Sequence, residues 1–114
     1  MIHFAGLKSV EESLKLPLEY WDTNLNSTLT LLEVMREFKC NCIVFSSSAT
    51  IYKPQEGIKI KENFPKGPIN PYGHSKLTIE VILGSLYRSN PKIWKIANLR
   101  YFNPVGAHCS GYLG

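Results

Sequence analysis

The sequence predicts an α/β fold, a parallel sheet with flanking helices, on three observations. Three short apolar runs rich in β-formers stand at residues 1–5, 42–46 and 94–101. Helix-patterned sequence separates them, and this alternation is what right-handed crossovers in a parallel sheet require. The first two runs are apolar almost throughout, as strands covered on both faces are.

Taken in order, Met1-Ile2-His3-Phe4-Ala5 is the first strand, and Gly6 follows where the backbone either turns or comes close to a ligand. Ser9 caps a short helix carrying Val10 and Leu14, which Pro17 interrupts. A longer helix runs from about Leu18 to Phe38, with Leu25, Leu29, Leu32 and Met35 as the expected buried stripe. The second strand, Cys42 to Ser46, leads into the hydroxyl-rich run Ser46-Ser47-Ser48-Ala49-Thr50. Residues 53–71 hold Pro54, Pro65, Pro68, two glycines and many charges, which makes them an irregular loop. Asn70 and Pro71 supply the cap and first residue of a helix over Tyr72 to Arg88, with Leu77, Val81 and Ile82 expected to be buried. Asn90-Pro91 ends it, Trp94 to Tyr101 is the third strand, and Asn103-Pro104 with Gly106 forms a rigid loop beyond.

With 114 residues the chain is at most one small domain, and 44% hydrophobic with 19% charged residues marks it as globular rather than disordered. No apolar run approaches the roughly 20 residues that span a bilayer, and Met1 to Gly6 lack a secretory signal. A cytoplasmic protein without a membrane partner is expected. The formal charge of +4 is scattered from Lys8 to Arg100 without a basic block, so a solvated surface is expected rather than a nucleic-acid face. Cys40, Cys42 and Cys109 have no metal-like spacing to histidines; reduced thiols and no metal site follow.

Ligands of open parallel sheets bind beyond the carboxyl ends of the strands. Gly6 with Lys8, Ser46 to Ser48, and Phe102 with Asn103 all fall just after a strand. The long loop is expected to return the start of the Tyr72 helix to the same edge. Tyr72 and Lys76 stand one turn apart on one helix face. An ammonium at the positive end of a helix dipole favours the phenolate. Tyr72 would then move a proton while a serine hydroxyl bonds the same substrate oxygen, and Lys76 would hold the phenolate or bond sugar hydroxyls. The ordinary reading of the pair is a tyrosine ring packed on a lysine stem, and of the serines a hydroxyl-rich turn. His3, His74 and His108 lack a paired carboxylate or cysteine and are read as structural or exposed.

Four blocks carry a resemblance: His3-Phe4-Ala5-Gly6-Leu7-Lys8, Phe45-Ser46-Ser47-Ser48-Ala49-Thr50-Ile51-Tyr52, Asn70-Pro71-Tyr72-Gly73-His74-Ser75-Lys76, and Leu99-Arg100-Tyr101-Phe102-Asn103-Pro104-Val105-Gly106-Ala107-His108. In order and spacing they resemble the UDP-glucose 4-epimerases of the extended short-chain dehydrogenase/reductase family, over essentially the whole chain. The resemblance implies that residues 1–114 are the central and later portion of a Rossmann-like NAD-binding domain. It implies an isomerase of galactose metabolism that interconverts UDP-glucose and UDP-galactose through a transient 4-keto sugar. It assigns catalysis to Ser48, Tyr72 and Lys76. The cofactor would meet Phe4, Ala5, Gly6, Leu7, Lys8, Tyr72, Lys76 and Phe102, and the substrate Ser48, Tyr72 and Asn103. A homodimer through the helices at 18–38 and 72–88 is implied as well.

The sequence departs from that family in several places. No Gly-x-x-Gly-x-x-Gly turn for the pyrophosphate is present, nor the portion that supplies most of the uridine-nucleotide pocket. A strand that opens at Met1 adds to the expectation of an internal fragment of a longer enzyme. Glu11 replaces a small residue, Thr23 an asparagine of some members, and His74 a common lysine. The alternatives are a truncated, non-catalytic interaction module, or another nucleotide-sugar epimerase or dehydratase with the same triad. The isolated chain is expected to be inactive and to bind NAD poorly.

Overall fold

The computed structural model describes residues 1–112. Leu113 and Gly114, the end of the expected domain, lie outside the described residues. The elements are β1 (Ile2–His3), α1 (Val10–Lys15), α2 (Pro17–Glu37), β2 (Cys42–Ser48), a 3-10 turn (Ala49–Ile51), α3 (Pro71–Ser89) and β3 (Lys95–Tyr101). They build one sheet of order β1-β2-β3, parallel throughout, with Ile2 beside Val44 and Ala97 in one row. This is the expected α/β architecture.

Capping fixes where the helices start. Ser9 Oγ accepts the Glu12 N–H at α1, Pro17 opens α2, and Asn70 Oδ1 accepts the Gly73 N–H at α3, where Pro71 comes first. The core lies between α2, α3 and one face of the sheet: Leu32 and Met35, Ile79 and Leu83, Ile43 and Phe45, with Trp94 closing one end.

Four expectations are corrected. Coverage on both faces is not met among the described residues. Ile43, Phe45 and Ser47 are buried, whereas Ile2 and Leu99 on the opposite face are exposed, because α2 and α3 pack on the same side. β1 is shorter than Met1 to Ala5, since the chain leaves the ladder to bond α2 through Leu7. β2 runs on through Ser47 and Ser48, which pair with Arg100 and Tyr101.

The fourth correction concerns the helix stripes. α2 buries Tyr20, Asn24, Thr28, Leu32 and Met35, while Leu29 is exposed and Leu25 half-buried. α3 buries Tyr72, Ser75, Lys76, Ile79, Glu80 and Leu83, leaving Val81 exposed and Leu77 and Ile82 half-buried. In both helices the half nearest the strand ends buries polar side chains against fixed partners. Hydrophobicity alone therefore selects a stripe rotated from the true one.

Candidate active site

A cleft of about 570 Å³ opens at the carboxyl ends of the strands, and Phe4, Gly6, Lys8, Ser48, Tyr72, Lys76 and Phe102 line it together. Asn103 lines the adjoining cleft, which shares Ser48, Tyr101 and Phe102 with the first. Ala5 and Leu7 stand outside this lining.

The start of α3 reaches this edge because the loop before it doubles back. The Lys53 N–H bonds the Pro65 carbonyl at 3.0 Å and the Gly67 N–H the Ile51 carbonyl at 3.0 Å, with Tyr52 bridged antiparallel to Lys66. Gly73 permits the final approach. A Cβ there would stand 2.7 Å from the Thr50 carbonyl oxygen and 2.9 Å from Pro68, too close for any side chain. Tyr72 is thereby set against the turn that follows Ser48.

Lys76 is buried with its ammonium 4.9 Å from the Phe45 ring centre and 5.8 Å from that of Tyr72. One N–H donates to the Ser46 carbonyl at 3.1 Å, which leaves two donors for a ligand. Burial pulls this amine down to about 8. The Tyr72 phenol has no hydrogen-bond partner among the described residues, and since no buried polar side-chain atom is unpaired, it opens to the cleft. Ser48 Oγ accepts from the Thr50 N–H at 3.3 Å and the Thr50 hydroxyl at 3.0 Å, so its own hydrogen remains available to donate.

Residues that the sequence reading passed over hold this arrangement. Asn24 Oδ1 accepts the Leu7 N–H at 2.8 Å, and its Nδ2 donates to the Leu7 carbonyl at 3.2 Å and to Ser75 Oγ at 3.0 Å. Ser75 donates in turn to the Tyr72 carbonyl at 2.8 Å. One amide thus ties the loop after β1 to the first turn of α3. Gly6 belongs to the same joint: its φ is +138° and a Cβ would lie 2.8 Å from Asn24 Oδ1. The signal in the sequence is the run Tyr20, Asn24, Thr28, Leu32, a four-residue repeat that marks a face when polar residues are admitted to it.

Two titratable neighbours stand outside the lining of the cleft. His3 bonds Thr28 Oγ1 at 2.9 Å through Nε2, and burial, then the charge of Lys76, pull it down, holding it neutral. Tyr20 packs edge-on against Tyr72 with ring centres 6.5 Å apart, donates to Glu12 at 2.7 Å and accepts from the Ser9 N–H at 3.0 Å. Burial, then the bond to Glu12, push its phenol up. His74 is exposed beside Trp21, and His108 bonds Ser110 in the last loop.

Comparison with known proteins gives a consistent result. The model of the family described as "NAD dependent epimerase/dehydratase family" matches residues 1–112. The whole chain is 54% identical to UDP-glucose 4-epimerase 2 of Oryza sativa subsp. japonica and 53% identical to UDP-glucose 4-epimerase of Dictyostelium discoideum, spanning 28% and 33% of their lengths. Among solved structures, the UDP-glucose 4-epimerase from Bifidobacterium longum in complex with NAD+ and UDP superposes with a TM-score of 0.92 at 54% identity, over 99% of this chain and 34% of that one. The UDP-glucose 4-epimerase from Stenotrophomonas maltophila, with bound NAD and formylated UDP-arabinopyranose, gives 0.92 at 44% identity over 99% of this chain and 33% of that one.

Proposed function

The chain belongs to the NAD dependent epimerase/dehydratase family, and from that premise we propose that it forms part of a UDP-glucose 4-epimerase. Residues 1–114 are read as the central and later portion of its NAD-binding domain, without the Gly-rich unit and the substrate domain. The observation that carries this reading is the convergence of Ser48, Tyr72 and Lys76 on one cleft at the strand ends.

The donor set fits a nicotinamide nucleotide and a sugar. Lys76 keeps two free N–H groups in the cleft that Phe4 also lines, Gly6 leaves the backbone bare, and Lys8 adds a cation. Beside these residues NAD would supply a reversible hydride acceptor. Tyr72 takes the proton of the sugar 4-hydroxyl. Ser48 donates its free hydrogen to the same oxygen. Lys76, charged below pH 8 and standing over the Tyr72 ring, stabilises the phenolate and bonds ribose hydroxyls. Phe4 and Phe102 exclude water from opposite walls, and Asn103 in the adjoining cleft holds the nucleotide sugar. The keto sugar then turns over, and Tyr72 gives its proton back.

UDP-glucose and UDP-galactose are the proposed substrates, in galactose metabolism and in the cytoplasm. No helix among the described residues is long and apolar enough to cross a membrane. A homodimer is proposed through the outer faces of α2 and α3, where Leu18, Trp21, Leu29 and Val81 are exposed. Neither a nucleic acid nor a metal has a place in this reading.

These 114 residues contain no Gly-rich pyrophosphate turn, and the glycines that let a helix N-terminus approach the diphosphate are a large part of dinucleotide affinity. Calorimetric titration of the purified chain with NAD is therefore expected to give no micromolar binding and, with UDP-galactose, no epimerisation. Micromolar affinity would contradict the division of the site proposed here.

A further inference from the structure

One buried charged cluster lies outside the catalytic set. The Glu80 carboxylate, one turn beyond Lys76 on α3, accepts from Ser47 Oγ at 2.6 Å and from Arg100 Nε and Nη2 at 2.9 and 2.8 Å, with Lys66 Nζ at 3.8 Å. Its side chain is 4% exposed. The remaining arm of Arg100 donates to the Tyr52 phenol at 2.8 Å and to the Glu62 carbonyl at 2.8 Å. Burial pushes the Glu80 carboxyl up, but the bonds from Arg100 and Ser47 and the charges of Arg100 and Lys66 outweigh it and hold it below its ordinary value. The carboxylate is thus ionised at neutral pH.

Each member belongs to a segment that carries a wall of the cleft. Ser47 adjoins Ser48, Arg100 precedes Phe102 by two residues, and Glu80 shares a helix with Tyr72 and Lys76. Tyr52 and Glu62 belong to the loop that returns the chain to α3. Stability does not account for such a cluster, because a buried ion pair is commonly no more stabilising than apolar residues of equal volume. What a bidentate guanidinium–carboxylate fork supplies is one fixed geometry.

We propose that Glu80 and Arg100 are positioning residues, a cross-brace that fixes the ends of β2 and β3 against α3 and so sets Ser48 and Phe102 relative to Tyr72 and Lys76. This rests on the cleft being the active site only for its consequence. The geometry is testable without cofactor or turnover.

The test is amide hydrogen exchange by NMR on the full chain with Glu80→Gln and Arg100→Lys, the second keeping the charge but not the fork. Met35→Ala, a core change remote from the brace, serves as a control at matched loss of melting temperature. Exchange is expected to rise about tenfold or more at residues 46–48 and 99–101, the loss of bonds to a charged group, against little change at residues 42–44 and 95–97 of the same ladder. The control is expected to raise both ends alike. Should Glu80→Gln not fold, Arg100→Lys alone decides. Equal acceleration at both ends, or none, overturns the brace, whatever the outcome of NAD titration.

Discussion

Burial gives Lys76 a pH-dependent effect on stability. Its amine falls from 10.5 to about 8 through burial, so the folded chain releases this proton before the unfolded chain does. Below pH 8 the buried charge lowers stability by a constant amount. Between pH 8 and about 10.5 stability rises with pH, and above that it levels off. Lysine ¹³Cε titration is expected to show one midpoint near 8. Replacing the ammonium, as in Lys76→Met, is expected to stabilise the chain by roughly 2 kcal/mol in urea, the shift less the hydrogen bond to Ser46. Gly6→Ala is expected to act in the other direction. Forcing a side chain into φ +138° and against Asn24 costs on the order of 1–3 kcal/mol, read as a lower urea midpoint. The side-by-side placement of Tyr72 and Lys76 was legible from spacing in a helix of known phase, although the spacing alone left an ordinary ring-on-stem pair open. Asn24, Glu80 and Arg100 were not, because their partners lie 17 to 51 and 20 to 48 residues away in sequence.

At the scale of elements, the legible features were those set by local chemistry. Ser9, Pro17, Asn70 and Pro71 mark helix starts that the structure reproduces to within one or two residues. Asn70→Ala is expected to cost about 1 kcal/mol of stability by freeing the Gly73 N–H that its side chain accepts at 2.7 Å. Because that N–H opens the turn bearing Tyr72, hydrogen exchange is expected to rise at residues 72–76 more than at residues 83–87. What the pattern hid was which face of α2 and α3 is inward. Leu25, Leu29 and Val81 are the more apolar choice, yet Asn24, Thr28 and Glu80 are the buried ones. Each buried polar group has its partner on another element, so its burial is decided by tertiary pairing that no single helix reveals. The extent of β2 was hidden for the same reason: Ser47 and Ser48 read as a turn until β3 is laid beside them.

For the molecule as a whole, the parallel α/β sheet followed from the alternation of elements, and the convergence on one edge followed from the strand-end rule. The return of the 53–71 loop to that edge was expected too, but not what holds it there: Arg100 and the backbone bonds at Lys53 and Gly67. The proposed function gives these residues the proton-transfer half of an epimerase site, without a Gly-rich cradle for the pyrophosphate. It is tested most directly by a chimera in which this chain replaces the corresponding segment of the rice relative, 54% identical along all 114 residues. The purified chimera is expected to retain NAD and to convert UDP-galactose to UDP-glucose. Tyr72→Phe within it is expected to retain NAD and lose at least about a hundredfold in kcat, the scale of a general acid–base group. A folded, NAD-loaded chimera without epimerase activity, or one whose rate survives Tyr72→Phe, would rule that function out.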